Sequence, residues 1–158
     1  MCISKNIAKH LNDLENSIEI LCNWQLDDEL FIKIKNEYKT NNNINKTIKN
    51  NIDIIGSCGT IEFIIIKNKI QNIQQLKLTN LQIEQILNYY KNIHEKGINV
   101  YVEKEQKNIC IGKLFILYKL LLMINIDYEG LFLSLQKNKK YNQNCLIWDK
   151  IMFFYNNN

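Results

Sequence analysis

Few side chains in this sequence have the types and spacing that catalysis requires. The chain contains two histidines, His10 and His94, and neither has a neighbour in sequence that could complete a metal site or activate a nucleophile. Both stand in surface-like stretches, so we predict that they are solvated surface residues. Glycine-rich phosphate loops and the short motifs of zinc proteases and serine hydrolases are absent from the sequence. We therefore expect no enzyme, no catalytic residues, no metal site and no cofactor.

The cysteines give no indication of a metal centre. There are five, at positions 2, 22, 58, 110 and 145, and none is paired in a C-x-x-C spacing. An odd number without ligand spacing is typical of reduced thiols in a cytosolic compartment, and it argues against a disulfide framework.

The length, composition and charge indicate a single globular domain over residues 1–158. The net charge of +4 is mild, and all twenty basic residues are lysines dispersed along the chain. A nucleic-acid-binding protein more often carries a clustered basic face with arginine, so we expect no nucleic-acid partner. The excess of Ile, Asn and Lys is typical of an A/T-rich genome, as in many viruses and parasites.

Apolar residues that recur every three or four positions predict an all-α fold. The amphipathic helices are predicted over residues 3–23, 27–38, 80–96, 128–137 and 144–155. Residues 40–46 are polar and Asn-rich, so they are predicted to form a loop. The run Leu114–Ile126 is mostly apolar, although it contains Lys119, and it is too short to span a bilayer, which indicates a buried central helix over about 109–125.

Residues 48–75 are ambiguous, because Ile61–Ile66 is rich in β-branched isoleucine, and propensity alone would assign this run to a strand. The only comparable run is Ile98–Val102, and a two-stranded sheet is marginally stable by itself. We therefore predict helix for this segment.

The end of the chain carries the most informative pattern. Trp148 and Asp149 are followed at helical spacing by Ile151, Phe154 and Tyr155, so an aromatic–acid pair opens a short amphipathic segment. This block resembles the second homology motif of the Bcl-2 family, a Trp-Asp pair followed by an apolar stretch that ends in Tyr.

Counterparts of three further homology motifs of the same family occur in the family's order along the chain. Glu95-Lys-Gly-Ile-Asn99 resembles the start of the first motif, and Ile111-Gly-Lys-Leu114 resembles its end in the central helix. Ile55-Gly-Ser-Cys-Gly-Thr60 is similar to the third motif, and the N-terminal helix ending at Trp24 is similar to the fourth. Trp148 follows Gly97 by 51 positions, which is close to the family's spacing.

Two departures bear on what the resemblance implies. The Trp-Gly-Arg of motif one is missing, so the arginine that pairs with the Asp of a bound BH3 helix in the family is absent. Lys104 is the candidate to supply that charge, although lysine cannot make a planar, two-pronged contact. Thr60 stands where motif three has Asp, so this chain's own BH3 segment is expected to be a poor ligand. That favours a pro-survival, sequestering type.

The resemblance implies a Bcl-2-like helical bundle with a BH3-binding groove between the helices 52–72, 80–96 and the start of 109–125. The groove residues would be aliphatic and aromatic side chains that line it, an Asn that contacts the ligand and the lysine that supplies the charge. These candidates are Ile61, Ile65, Ile66, Ile70, Tyr89, Ile93, Asn99, Lys104, Leu114 and Tyr155.

The function implied by the resemblance is that of a viral, poxvirus-like inhibitor of host apoptosis, whose partners are the BH3 motifs of pro-apoptotic proteins of the Bim, Bak and Bax type. The expected location is the host cytoplasm, at the mitochondrial outer membrane if the full-length protein has a C-terminal anchor beyond this sequence. A homodimer is left open. The first alternative is a viral Bcl-2-like decoy with a closed groove that blocks innate immune signalling adaptors of the NF-kappaB type. The second is an unrelated helical structural or lysine-rich nucleic-acid-binding module.

Overall fold

The computed structural model describes residues 6–55 and 59–157, and this part of the chain is all-α, with no strand. The helices are α1 Ile7–Asn23, α2 Asp28–Asn41, α3 Ile44–Asn50, α4 Ile52–Ile55, α5 Thr60–Ile70, α6 Asn80–Ile93, α7 Asn99–Glu105, α8 Lys113–Met123, α9 Glu129–Leu135 and α10 Tyr141–Asn156. A π-helical turn, His94–Ile98, joins α6 to α7. The chain divides into two compact units, the first comprising Met1–Ile18 with Leu78–Asn158 and the second comprising Glu19–Lys77.

The second unit is built around a small aliphatic core. Its buried members are Leu26, Ile34, Ile48, Ile66 and Ile70. Leu26 precedes α2, and the other four lie on α2, α3 and α5, which begin at polar capping side chains. Asp27 accepts a hydrogen bond from the backbone N–H of Leu30, three residues into the next helix. This cap explains why α2 starts immediately after the acidic run.

The predicted loop at 40–46 was wrong in extent, because only Asn42 and Asn43 lie between α2 and α3. Asn42 adopts a left-handed conformation with φ of 56° and its N–H bonds to the carbonyl of Tyr38. The side chain of Asn43 accepts from the N–H of Lys46 and begins α3. Asparagine is favoured both in a left-handed C-terminal cap and as an N-cap. Two residues are therefore enough to connect α2 and α3, and the loop is shorter than its Asn-rich composition indicated.

Helix is confirmed for the ambiguous isoleucine run, which forms α5. The helix begins at Thr60, and the carboxylate of Glu62 accepts a hydrogen bond from the N–H of Gly59. Ile66 and Ile70, one turn apart, enter the core of the second unit. Burial therefore outweighs the β-propensity of these residues.

The first unit is centred on α8, whose residues are buried on nearly every side. The ring of Phe115 meets the rings of Tyr141 and Trp148 edge-on, with centroids 5.9 Å and 6.4 Å away. The predicted central helix over 109–125 was wrong at its start, because α8 begins at Lys113 after an extended Gly112. Ile109 and Ile111 precede the helix and are buried nonetheless. Residues 98–108, which lie outside the predicted helices, contain α7.

Gly97 allows the π-helical turn to lie directly against α10. A Cβ at this position would lie 2.9 Å from the carbonyl oxygen of Ile151 and 3.3 Å from Cβ of Tyr155. The N–H of Asn99 bonds to the carbonyl of His94, five residues earlier, which is the π-helical pattern. A residue without a side chain is therefore required at Gly97 by the close approach of two backbones.

The prediction of uniformly reduced cysteines was wrong at Cys110, which is disulfide-bonded, whereas Cys22 and Cys145 are in the reduced form. Spacing along the sequence does not show which distant cysteines meet. Cys2 and Cys58 lie outside the described residues, as does the middle of the block that resembles motif three. None of the described helices is long and apolar enough to cross a membrane.

Replacing Gly97 with alanine should destabilise the protein. The new methyl group would push on the backbone of α10, and overpacking of this kind costs about 1–3 kcal/mol in the free energy of unfolding. Urea denaturation followed by circular dichroism measures the change. Gly112→Ala is the matched control, because a Cβ there meets nothing within 4 Å and its φ is −64°. Equal effects of the two substitutions would contradict the close approach at Gly97.

Candidate functional site

The ten residues predicted to form a BH3-binding groove are divided between the two units. Four of them, Ile61, Ile65, Ile66 and Ile70, lie on α5 in the second unit. All four are buried, and Ile66 and Ile70 belong to that unit's core. Their role as ligand contacts stays a prediction.

The other six lie in the first unit. On α6, Tyr89 is half-buried and Ile93 is fully buried. Leu114 is half-buried at the second position of α8, and Asn99 is exposed at the first position of α7. The remaining two are Lys104, exposed in the last turn of α7, and Tyr155, half-buried near the end of α10.

The contact between α7 and α10 brings some of these residues together. The Nζ of Lys104 lies 5.3 Å from the ring centroid of Phe154, a cation–π distance. Tyr101 meets the same ring edge-on at 6.4 Å. Tyr155, the next residue, packs against Gly97. The two blocks that resemble the first and second homology motifs are therefore in direct contact, although 51 positions separate Gly97 from Trp148.

The aromatic–acid pair has one buried and one exposed member. Trp148 is 5% exposed and packs on Phe115 of α8, so its role is in the core of the first unit. Asp149 points to solvent.

The prediction that both histidines are solvated was wrong. His10 on α1 is 5% exposed and His94 is 3% exposed, and their ring centroids are 6.3 Å apart. The ring of Tyr90 lies 6.0 Å from that of His94. A signal for this burial is present in the sequence, because His10 stands four residues before Leu14 and His94 four residues after Tyr90. Helical periodicity thus places both histidines on apolar faces.

Beside these rings is a small cavity that sequence reasoning missed. Its volume is about 10 Å³, near the roughly 10–15 Å³ needed for one water molecule. It is lined by His10, Leu14, Tyr90, Lys113 and Ile116. The hydroxyl of Tyr90 is buried without a hydrogen-bond partner among the described residues, and burial raises the pKa of Tyr90 to about 12. Lys113 places a cation at this cavity, at the first position of α8.

A second polar cluster connects α8 to the segment before α9. The hydroxyl of Tyr118 donates to Oδ1 of Asp127 at 2.9 Å. Burial raises the pKa of Tyr118 to about 12, and the hydrogen bond to Asp127 acts in the same direction. Burial also raises the pKa of Tyr141, helped by its hydrogen bond with Cys145. The first contact ties α8 to the segment before α9, and the second lies within α10.

Among residues 6–55 and 59–157, no group of three or more His, Cys, Asp or Glu side chains is placed to hold a metal ion. Comparison of the chain with family models, with curated proteins and with solved structures found no match.

The buried hydroxyl of Tyr90 leads to a prediction about alkaline stability. The pKa of Tyr90 is about 12 in the folded protein and roughly 10 in an unfolded chain, so the folded state favours the neutral phenol. The stability from this preference is present below pH of roughly 10 and is lost as the pH rises towards 12. Raising the pH from 10 to 12 should therefore lower the free energy of unfolding of the unmodified protein. The same change of pH should lower that of Tyr90→Phe by a smaller amount.

Chemical denaturation at several pH values tests this, and the same variant at pH 7 is its control. Removing a buried hydroxyl without a partner should leave stability at pH 7 unchanged or slightly higher. A loss of stability at pH 7 with an unchanged alkaline profile would show that the hydroxyl has a partner that holds it in place.

Proposed function

We propose that this chain inhibits host apoptosis by binding the BH3 helices of pro-apoptotic Bcl-2 proteins on a hydrophobic surface. The observation that carries the proposal is the contact of Gly97 with Ile151 and Tyr155. It joins the two blocks that resemble the family most closely, and the all-α fold is compatible with the family's architecture.

The energetics of such binding are those of an amphipathic helix on an apolar surface. A BH3 helix presents apolar side chains at positions i, i+3 or i+4, i+7 and i+11. Burial of four aliphatic side chains at about 1.5–3 kcal/mol each supplies a gross term of about 6–12 kcal/mol. Two costs oppose this favourable term: the partners lose rigid-body freedom, and their side chains become ordered. Affinities from micromolar to nanomolar are therefore compatible with the proposal.

Two lysines are candidates to supply the positive charge of the missing arginine, which in the family pairs with the Asp of a bound BH3 helix. Lys104 is exposed and its ammonium already lies over the ring of Phe154. Lys113 follows Gly112 at the start of α8, where the unbonded N–H groups of the first turn also favour an anion. The helix start adds a second source of positive potential at Lys113, so we favour Lys113 over Lys104 as the group that meets a ligand carboxylate.

A second candidate function is supported by the burial of five predicted groove residues. Ile61, Ile65, Ile66, Ile70 and Ile93 are each less than 9% exposed. If these side chains serve only as core, the chain acts as a closed decoy that blocks innate immune signalling adaptors, and it binds no BH3 helix.

Calorimetric titration with BH3 peptides of the Bim, Bak and Bax type separates the two candidates. Apoptosis inhibition predicts sub-micromolar binding of some peptides and a loss of at least about 100-fold in Leu114→Glu, because an apolar contact is replaced by a charge that must be desolvated. Leu81→Glu is the matched control, because Leu81 is 66% exposed on α6 and outside the predicted set. A folded, helical protein that binds no peptide would refute the proposed function and favour the decoy.

The two lysines are distinguished by a double-mutant cycle with a peptide whose conserved Asp is replaced by Asn. We expect Lys113→Gln to weaken binding by about two- to tenfold, with the effect abolished in the Asn peptide, since a partly exposed pair contributes about 1 kcal/mol. Lys104→Gln should show no such coupling. Coupling at Lys104 and none at Lys113 would reverse the assignment.

A further inference from the structure

The outward face of α10 is apolar at two places and charged between them. Leu146 is 66% exposed and Phe153 is 63% exposed. The two residues are seven positions apart, so they lie on the same side of the helix. Asp149 and Lys150 are exposed between them on that side, and neither has an ion-pair partner within the described part of the chain.

This face differs from those around the other exposed apolar residues. Ile32 on α2 and Leu81 on α6 are also exposed, but each is surrounded on its helix face by polar residues. Single exposed apolar residues are ordinary on protein surfaces. Two at a heptad interval on one helix lie on the same strip of its surface, two turns apart, and this spacing is typical of a helix that packs against another helix.

The sequence of the strip is symmetric about its centre. Leu146 and Phe153 are equally far from the midpoint between Asp149 and Lys150. The exposed amide side chains beyond them follow the same symmetry, with Asn142 opposite Asn157 and Gln143 opposite Asn156. A second α10 lying antiparallel across this midpoint would therefore place Leu146 on Phe153 and Asp149 on Lys150, twice over.

We propose that two copies of this chain associate through the outward faces of α10, antiparallel and related by a two-fold axis between Asp149 and Lys150. A two-fold interface requires a surface that is complementary to itself, and this strip has both apolar and charge complementarity under that operation. A parallel arrangement would bring Asp149 next to its own copy and is disfavoured by repulsion. The proposal is independent of BH3 binding.

The dimer should be weak and reversible. The contact strip on a helix of 16 residues is about 24 Å long. One pair of such helices lies at the low end of protein interfaces, below about 1,200 Å² in total, where transient complexes are found.

Charge reversal tests the pairing. The full chain is studied by sedimentation velocity from low micromolar to several hundred micromolar concentrations. Asp149→Lys places two lysines opposite each other at both symmetry-related contacts, and Lys150→Asp does the same with two aspartates. Each should weaken dimerisation by at least about tenfold. The double swap Asp149→Lys with Lys150→Asp restores the complementarity and should dimerise within about threefold of the unmodified protein.

Mixing the two single variants gives the sharpest result, because each is complementary to the other. The mixture should form a heterodimer under conditions where each variant alone is monomeric, and an unfolded variant could not do so. Leu146→Glu should abolish association, and the control Leu81→Glu should leave it unchanged. A protein that is monomeric at every concentration, a dimer indifferent to all these substitutions, or single variants that do not complement each other would each overturn the proposal.

Discussion

At Gly97 the π-helical turn and α10 approach so closely that a side chain would meet the carbonyl oxygen of Ile151 at 2.9 Å. This approach determines much of the first unit. It sets the depth at which the C-terminal helix lies, and with it the position of Trp148 on Phe115. It also brings Tyr101 and Lys104 of α7 to the ring of Phe154.

The two sides of α10 then have different roles. The inner side carries the buried Trp148 and Ile151 and is held by aromatic contacts with α8. The outer side presents Leu146 and Phe153 to solvent around a pair of opposite charges. The same helix therefore belongs to the block that suggests the family resemblance and to the surface that we propose for self-association. Because the first role uses buried residues and the second uses exposed ones, substitutions can separate them.

Helical periodicity was sufficient to predict the all-α class and the approximate positions of most helices. The helix predicted to begin at residue 80 does begin there, because the side chain of Thr79 accepts from the N–H of Gln82 while the side chain of Gln82 accepts from the N–H of Thr79. Such signals are local, so a single sequence is enough to read them.

The errors concern features that depend on distant contacts. His10 and His94 were assigned to the surface because their immediate neighbours are polar, yet the rings meet each other across 84 positions of sequence. The spacing of the cysteines in the sequence did not predict the disulfide of Cys110, because a disulfide also depends on contacts between distant parts of the chain. The central helix starts later than predicted because Ile109 and Ile111 are buried outside the helix, and apolar composition does not distinguish buried non-helical chain from buried helix.

The most direct test of this account is a nuclear Overhauser spectrum of the full chain in solution, with resonances of Gly97 and of the Ile151 methyl groups assigned. A Cβ at Gly97 would lie 3.0 Å from Cγ2 of Ile151, so an α-proton of Gly97 must be close to that methyl group. The account predicts a strong cross-peak between the two. Assigned resonances without a cross-peak would show that the π-helical turn does not lie against α10.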